Sequence, residues 1–272
     1  GSSALFTKTT GNDNVAIGAS ALYANTTASN NVAVGTGALE ANTTGASNAV
    51  VGHRALDANT TGASNVAIGL NALGVSDTSS RNVAIGRHAL SSYNPDGAED
   101  SYNVAIGYDA LTTATTGIEN TAVGSKSMLA NTTGRNNAAF GAYSLDANTS
   151  GENNTAVGKS ALGANTTGSG NTAVGINALD ATIDGVNNVA IGINALSADA
   201  VGENVAVGNS ALLVCTSSNN TAVGSGTGKA VTSGSQNVFV GTNAGDAVIG
   251  GANHVAIGFN ALTTCTSSNG NT

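Results

Sequence analysis

The sequence has no tryptophan, one methionine, one proline and two cysteines in 272 residues, and aromatic residues make up only 3%. A conventional core of this length uses large side chains, and too few are present to build one. Charge is scarce as well, at 9% of residues against about 25% in ordinary soluble domains. That deficit argues against disorder, because disordered chains are charge-rich and poor in β-branched residues. Eight basic residues face sixteen acidic ones, a formal net charge of −8. No basic patch is available to neutralise a phosphate backbone, which excludes nucleic acid as a partner. No run of about 18 apolar residues occurs, so no segment is expected to span a membrane. What the chain does have is 37 glycines and an abundance of Ala, Val, Asn and Thr.

Those residues repeat. The pattern Asn-φ-Ala-φ-Gly, with φ mostly Val, Ile or Thr, occurs fifteen times, and eleven of the fourteen Gly-to-Gly intervals are 17 residues. Two intervals are 16 and one is 21. The consensus unit reads N-V-A-I-G-x-x-A-L-x-A-N-T-T-G-x-x, numbered below from Asn as position 1 to position 17. Segments this short, and this rich in Gly, Asn and β-branched residues, do not make helices. A unit with one short strand and two turn signals suits one coil of a solenoid, which gains a core only by stacking. The expected fold is all-β, a parallel β-solenoid (β-roll) of about fifteen 17-residue coils. Residues 1–10 read as a tag remnant and partial repeat, because Gly1-Ser2-Ser3 resembles a cloning scar. Residues 11–272 read as one solenoid domain with a loop insertion at 91–102.

Each column has a physical reading. The Asn of position 1 recurs at Asn14, Asn31, Asn48, Asn65, Asn82, Asn103, Asn120, Asn137, Asn154, Asn171, Asn188, Asn204, Asn220 and Asn237, with His254 in the fifteenth unit. Stacked Asn side chains that hydrogen-bond from coil to coil explain it. Positions 2 and 4 are apolar or Thr and share one face of the strand, which is taken as core together with the Leu of position 9. Position 3 is Ala at Ala16, Ala33, Ala67, Ala84, Ala105, Ala122, Ala139, Ala156, Ala173, Ala190, Ala206, Ala222 and Ala256. Val50 and Phe239 are its exceptions. Near-exclusive Ala means a tight limit on size, imposed either by the inside of a narrow coil or by a flat interface between chains. The second is preferred, which makes this column, Phe239 included, the candidate chain interface and favours an oligomer.

Catalytic chemistry is hard to find. His53, His88 and His254 lie in different units, and no nucleophile, zinc or phosphate-loop motif is present. The run Gly224–Gly228 lacks the Lys-Ser/Thr of a phosphate loop. Asp57, Asp146 and Asp180 share a column, yet Asp is not periodic as in calcium-binding rolls, and a lone ion near Asp96, Glu99 and Asp100 is the remaining metal candidate. No cofactor is expected, and the chain does not read as an enzyme. Cys215 and Cys265 stand three units apart, too far for an intrachain disulfide; they are semi-buried thiols or an interchain bridge. The Asn-Thr-Thr segments at Asn25, Asn42, Asn59, Asn131 and Asn165, with Asn148-Thr149-Ser150, match the N-glycosylation pattern. Their Thr pairs, such as Thr26-Thr27 and Thr43-Thr44, stack as rows that an ice-binding solenoid would use. The 21-residue interval offers a candidate recognition loop at Tyr93, Asn94, Pro95, Asp96 and Tyr102.

The runs Asn14-Val15-Ala16-Ile17-Gly18 and Asn65-Val66-Ala67-Ile68-Gly69 resemble the head repeats of trimeric autotransporter adhesins (YadA-like). The same arrays are similar to those of phage and large-virus fibre proteins. The resemblance covers about residues 11 to 272. It implies a homotrimer of left-handed parallel β-rolls in an extracellular setting, on a cell surface or a virion fibre. The expected function is a structural, adhesive segment that binds a surface receptor, matrix or glycan. An ice-binding solenoid and a virion or phage tail-fibre shaft are the alternatives.

Overall fold

The computed structural model describes residues 1–95, 97, 100–267 and 269–270. These contain fifteen three-residue strands and no helix, and they fall in two compact units, Gly1–Asn137 and Ala138–Thr272. The first holds β1 (Val15–Ile17), β2 (Val32–Val34), β3 (Ala49–Val51), β4 (Val66–Ile68), β5 (Val83–Ile85), β6 (Val104–Ile106) and β7 (Thr121–Val123). The second holds β8 (Ala138–Phe140), β9 (Thr155–Val157), β10 (Thr172–Val174), β11 (Val189–Ile191), β12 (Val205–Val207), β13 (Thr221–Val223), β14 (Val238–Val240) and β15 (Val255–Ile257). Within each unit every strand pairs in parallel with the next in sequence. The register stacks like on like, Val15 against Val32 and Ala16 against Ala33. The fold is a parallel β-solenoid with one repeat per coil.

The coil begins earlier than expected. Residues 1–13 are not an appendage: Gly1 to Asp13 occupy positions 5 to 17 of a coil. Ser3 and Leu5 have φ of 60° and 52°, as their column mates do. Leu5 N–H donates to Ala21 O at 3.0 Å and Thr7 N–H to Tyr23 O at 3.1 Å, joining this segment to the next coil. Gly1-Ser2-Ser3-Ala4-Leu5 is the repeat's own G-x-x-A-L.

The strand faces the opposite way from the expectation. The Ala of position 3 points inward: Ala33, Ala67, Ala105, Ala173 and Ala206 are fully buried, with the Ala of position 8 and the Leu of position 9. The β-branched residues of positions 2 and 4 point out, Ile17 at 58% exposure and Val51 at 41%. The interior is so narrow that a methyl on the strand and one Leu from the opposite wall fill it. Large strand residues therefore have room only outside.

The opposite wall is made by the backbone rather than by a second strand. Positions 7, 9 and 17 are left-handed in every described coil, with φ between 49° and 63° where they are not glycine. Left-handed residues placed two apart turn successive amides up and down the stack. Arg54 N–H donates to Thr36 O in the preceding coil, and Leu56 N–H to Ala72 O in the following one. Leucine in this conformation costs about 1–2 kcal/mol, which burial of its side chain, about 1.5–3 kcal/mol, offsets. Position 5 admits only glycine. Gly69 has φ of 132°, and a Cβ there would lie 2.5 Å from Gly86 O in the next coil.

Two departures from consensus are absorbed without breaking register. The 21-residue interval leaves β5 and β6 paired, Val83 with Val104, and Asn103 N–H still donates to Asn82 Oδ1 at 3.2 Å. Phe239, on the Ala column, is fully buried. Its ring takes the room left where position 9 is glycine instead of leucine: a Cβ on Gly245 would meet the ring at 2.6 Å, and one on Gly228 at 3.0 Å.

Candidate functional site

The surface feature with functional content is the outward face of the strands. In the first unit Val15, Ile17, Val32, Val51 and Ile68 are exposed, with Leu70 beside them at position 6. In the second, Phe140, Val157, Ile191, Val223, Val238, Val255 and Ile257 continue the same two columns, with Ile176, Ile193 and Phe259 at position 6. Strand neighbours lie about 4.8 Å apart and alternate residues about 6.6 Å. Each unit thus presents a regular apolar array of roughly 200 Å², laid out in two parallel rows. Thr121, Thr155, Thr172 and Thr221 interrupt position 2 with hydroxyls.

The Ala column, proposed as the chain interface, cannot serve as one. Ala33, Ala67, Ala84, Ala105, Ala122, Ala139, Ala156, Ala173, Ala190, Ala206, Ala222 and Phe239 have no exposed surface within a single chain, and Ala256 almost none. Ala16 is half-buried in the first complete coil. The size limit they report is that of the coil interior, and the exposed apolar surface belongs to their neighbours at positions 2 and 4.

The Asn column forms a buried ladder. Asn48 N–H donates to Asn31 Oδ1, Asn65 N–H to Asn48 Oδ1 and Asn82 N–H to Asn65 Oδ1, each at 2.9 Å. Most of the amide nitrogens also reach a backbone carbonyl near position 15, as Asn31 Nδ2 does to Gly45 O at 2.9 Å, whereas those of Asn82 and Asn188 donate to Asn65 Oδ1 and Asn171 Oδ1. The second unit repeats it from Asn154 to Asn171 to Asn188. His254 takes the last rung, its N–H donating to Asn237 Oδ1 at 2.9 Å.

A second ladder was missed. The Asn of Asn-Thr-Thr is not a surface acceptor: Asn25, Asn42, Asn59, Asn131, Asn148 and Asn165 are fully buried. Asn42 Nδ2 donates to Asn25 Oδ1 at 3.1 Å and to Gly45 O at 3.0 Å. A glycan on any of them is incompatible with the folded coil. The signal that could have shown this is substitution: position 12 also holds Ala114, Val231 and Val248, residues that suit an interior column. Cys215 belongs to it too. Its buried thiol lies 3.3 Å from Ser217 Oγ, so it cannot bridge to another chain. Cys265 is half-buried and outside any disulfide. The Thr rows are engaged as well, because Thr26 Oγ1 donates to Thr43 O at 3.1 Å and Thr43 Oγ1 to Thr60 O at 2.9 Å.

The loop contributes less surface than its sequence implied. Tyr93 occupies position 12, and both it and Pro95 are buried. Asn94 is exposed and its Oδ1 accepts from Asp77 N–H. Tyr102 is 50% exposed under the Arg81 guanidinium, 5.6 Å from its ring centroid, and Arg81 also pairs with Asp100. Asp96 and Glu99 lie outside the described residues. Among the described residues no three His, Cys, Asp or Glu side chains converge to hold a metal ion, and no helix is long and apolar enough to cross a membrane.

No family model matches the sequence, and no curated protein matches it.

Proposed function

We propose that the chain is a structural, adhesive segment of an extracellular fibre or surface adhesin, assembled from three copies. The observation that carries the proposal is the outward array at positions 2 and 4. Rigid parallel strands hold β-branched side chains in water, where they gain nothing, and a second and third copy would cover them. Open apolar rows of this regularity are otherwise a liability for a soluble chain. The likeness of the strand motif to trimeric autotransporter head repeats supports the number three, and a virion or phage tail-fibre shaft is the same mechanical role on another carrier.

The test is molar mass by light scattering after size exclusion. The wild type should elute near 78 kDa, three times its 26.1 kDa. Val51→Lys with Ile68→Lys should release a folded monomer, because both side chains already face outward. A wild type that stays at 26.1 kDa at all concentrations overturns the assembly. An ice-binding reading is favoured by one observation, the spacing of Thr and Val on the same outward face. It predicts thermal hysteresis that disappears in the same two-lysine variant.

A further inference from the structure

In the first unit the solenoid wall carries a groove of about 400 Å³ that includes Arg54, Asp57, Asn71, Gly74, His88 and Ser91. We infer that this groove binds a carboxylate-bearing saccharide. The inference deepens the adhesive half of the proposed function and is independent of the trimer.

The groove comes from two columns running side by side across three coils. Arg54, Asn71 and His88 are consecutive members of position 7. Asp57, Gly74 and Ser91 are consecutive members of position 10. Their backbones are fixed at one-coil spacing: Asn71 N–H donates to His53 O at 3.1 Å and His88 N–H to Leu70 O at 2.9 Å. Gly74 replaces the carboxylates found at Glu40 and Asp57 and so opens the space between Asp57 and Ser91. The volume falls within the range of small-ligand clefts, about 300–1,000 Å³. The lining is part polar and part apolar, which suits a ligand with both hydroxyls and C–H faces, and Val75, 48% exposed at its edge, offers a surface for the C–H face of a sugar ring.

Two of the groove's side chains are not used by the fold. Position 7 is left-handed, and in other coils it holds small or amide residues such as Ser20, Gly37, Asn177, Asn194 and Ser210, and also Asp109, Lys126 and Tyr143. Glycine and asparagine tolerate this conformation, whereas Arg54 at φ of 50° has no such preference. Where asparagines stack in this column they satisfy one another, as Asn177 Nδ2 does with Asn194 Oδ1 at 3.3 Å. Asn71 has Arg54 and His88 on either side instead, and its amide makes no side-chain hydrogen bond to a described residue. The Arg54 guanidinium, likewise, forms no direct ion pair among the described residues. Its planar fork matches a carboxylate. His88 is oriented by Asp109, whose Oδ1 lies 3.4 Å from His88 Nδ1. Asp57 and Ser91 supply acceptors and a donor for ring hydroxyls. Burial pushes the Asp57 carboxyl above its usual range, with the Arg54 charge pulling it back down. It is therefore an oxygen partly withdrawn from water, for which a ligand hydroxyl is a favourable partner.

The full chain would be titrated calorimetrically with 3′-sialyllactose and tri-galacturonic acid, with lactose and inorganic phosphate as the neutral and simple-anion probes. At least one carboxylated saccharide should bind saturably. Loss of a charge-assisted hydrogen bond predicts binding weaker by about tenfold or more in Arg54→Ser and in Asn71→Ser. Both variants place serine where Ser20 and Ser210 already stand, so the coil keeps its fold; Asn177→Ser in the second unit should bind as wild type. The inference is overturned if neither carboxylated saccharide binds at about 10 mM, ten times the Kd of a weak site. It is equally overturned if lactose or phosphate binds as tightly, or if the two groove variants bind unchanged. Molar mass measured on the same samples separates the two proposals: saccharide binding by a 26.1 kDa chain would remove the trimer and leave the groove.

Discussion

Phe239 offers the sharpest test of how the coil interior is filled. It is the one large residue on a column of small ones, it is fully buried, and two glycines at position 9 face its ring. If its ring substitutes for two missing leucines, the three residues must be energetically coupled. Phe239→Ala alone should cost about 3–5 kcal/mol, the range for a buried Phe truncated without collapse. Gly245→Leu alone should destabilise by about 1–3 kcal/mol, because its Cβ would lie 2.6 Å from the ring. In the Phe239→Ala background the sign should reverse. The new leucine then gains about 1.5–3 kcal/mol of burial against about 1–2 kcal/mol for the left-handed conformation, a net gain centred on about 0.75 kcal/mol. Repeat arrays unfold as coupled neighbours rather than as one block. The readout is therefore local: native-state hydrogen exchange of Gly228 N–H and Gly245 N–H, which donate to Ala244 O and Ala261 O at 2.9 and 2.8 Å, supported by urea melts. If Gly245→Leu has the same effect whether position 239 is Phe or Ala, the volume exchange is refuted.

Three further outcomes follow from the interior. Asn65→Ala leaves Asn82 N–H and Ser79 O without their partner; at about 1–3 kcal/mol for each orphaned group, urea melts should show a loss larger than any exposed Asn→Ala change produces. Expression through a eukaryotic secretory pathway should yield protease-resistant protein free of glycan at Asn25, Asn42 and Asn59, checked by peptide mass spectrometry; a glycan on any of them in the folded fraction contradicts their burial. Burial raises the Asp180 carboxyl above 3.8, so ionisation opposes folding above the raised value and has no effect below 3.8. Asp180→Asn should therefore melt higher than wild type at neutral pH, with the difference fading as pH falls toward 3.8.

Much of this architecture was legible because the repeat fixes it. A 17-residue period with an invariant Gly, an Asn before it and a Leu after it admits few structures other than stacked coils, and the strand positions follow from the β-branched pattern. Inside and outside were inverted because the usual rule puts the larger apolar residue in the core. In a coil whose interior is one methyl and one leucine deep, size selects in the other direction. The Ala column recorded that limit correctly, and of the two causes consistent with it the wrong one was preferred. Of the two readings given to residues 1–10, a tag remnant and a partial repeat, the coil positions of Ser3 and Leu5 support the second. A flexible tag and a G-x-x-A-L segment share the same small residues, and only backbone conformation tells them apart.

The groove was hidden because no single residue in it looks functional. His88 belongs to no motif, and Arg54 and Gly74 stand in variable columns of the repeat. Their meaning arises from stacking, which converts residues 17 apart into neighbours about 4.8 Å apart. A solenoid therefore writes a binding site as a local lapse in a column, where successive coils abandon the residue that backbone geometry favours. Positions 7 and 10 between Arg54 and Ser91 also combine that change with side chains left without partners among the described residues. At position 7, coils three and five carry Arg and His, flanking an Asn whose amide makes no side-chain hydrogen bond to a described residue. Phe239 is also a lapse, but an internally compensated one, because Gly228 and Gly245 give back the volume it takes. Arg54 forms no direct ion pair among the described residues, which is the physical reason to look for its partner in solution.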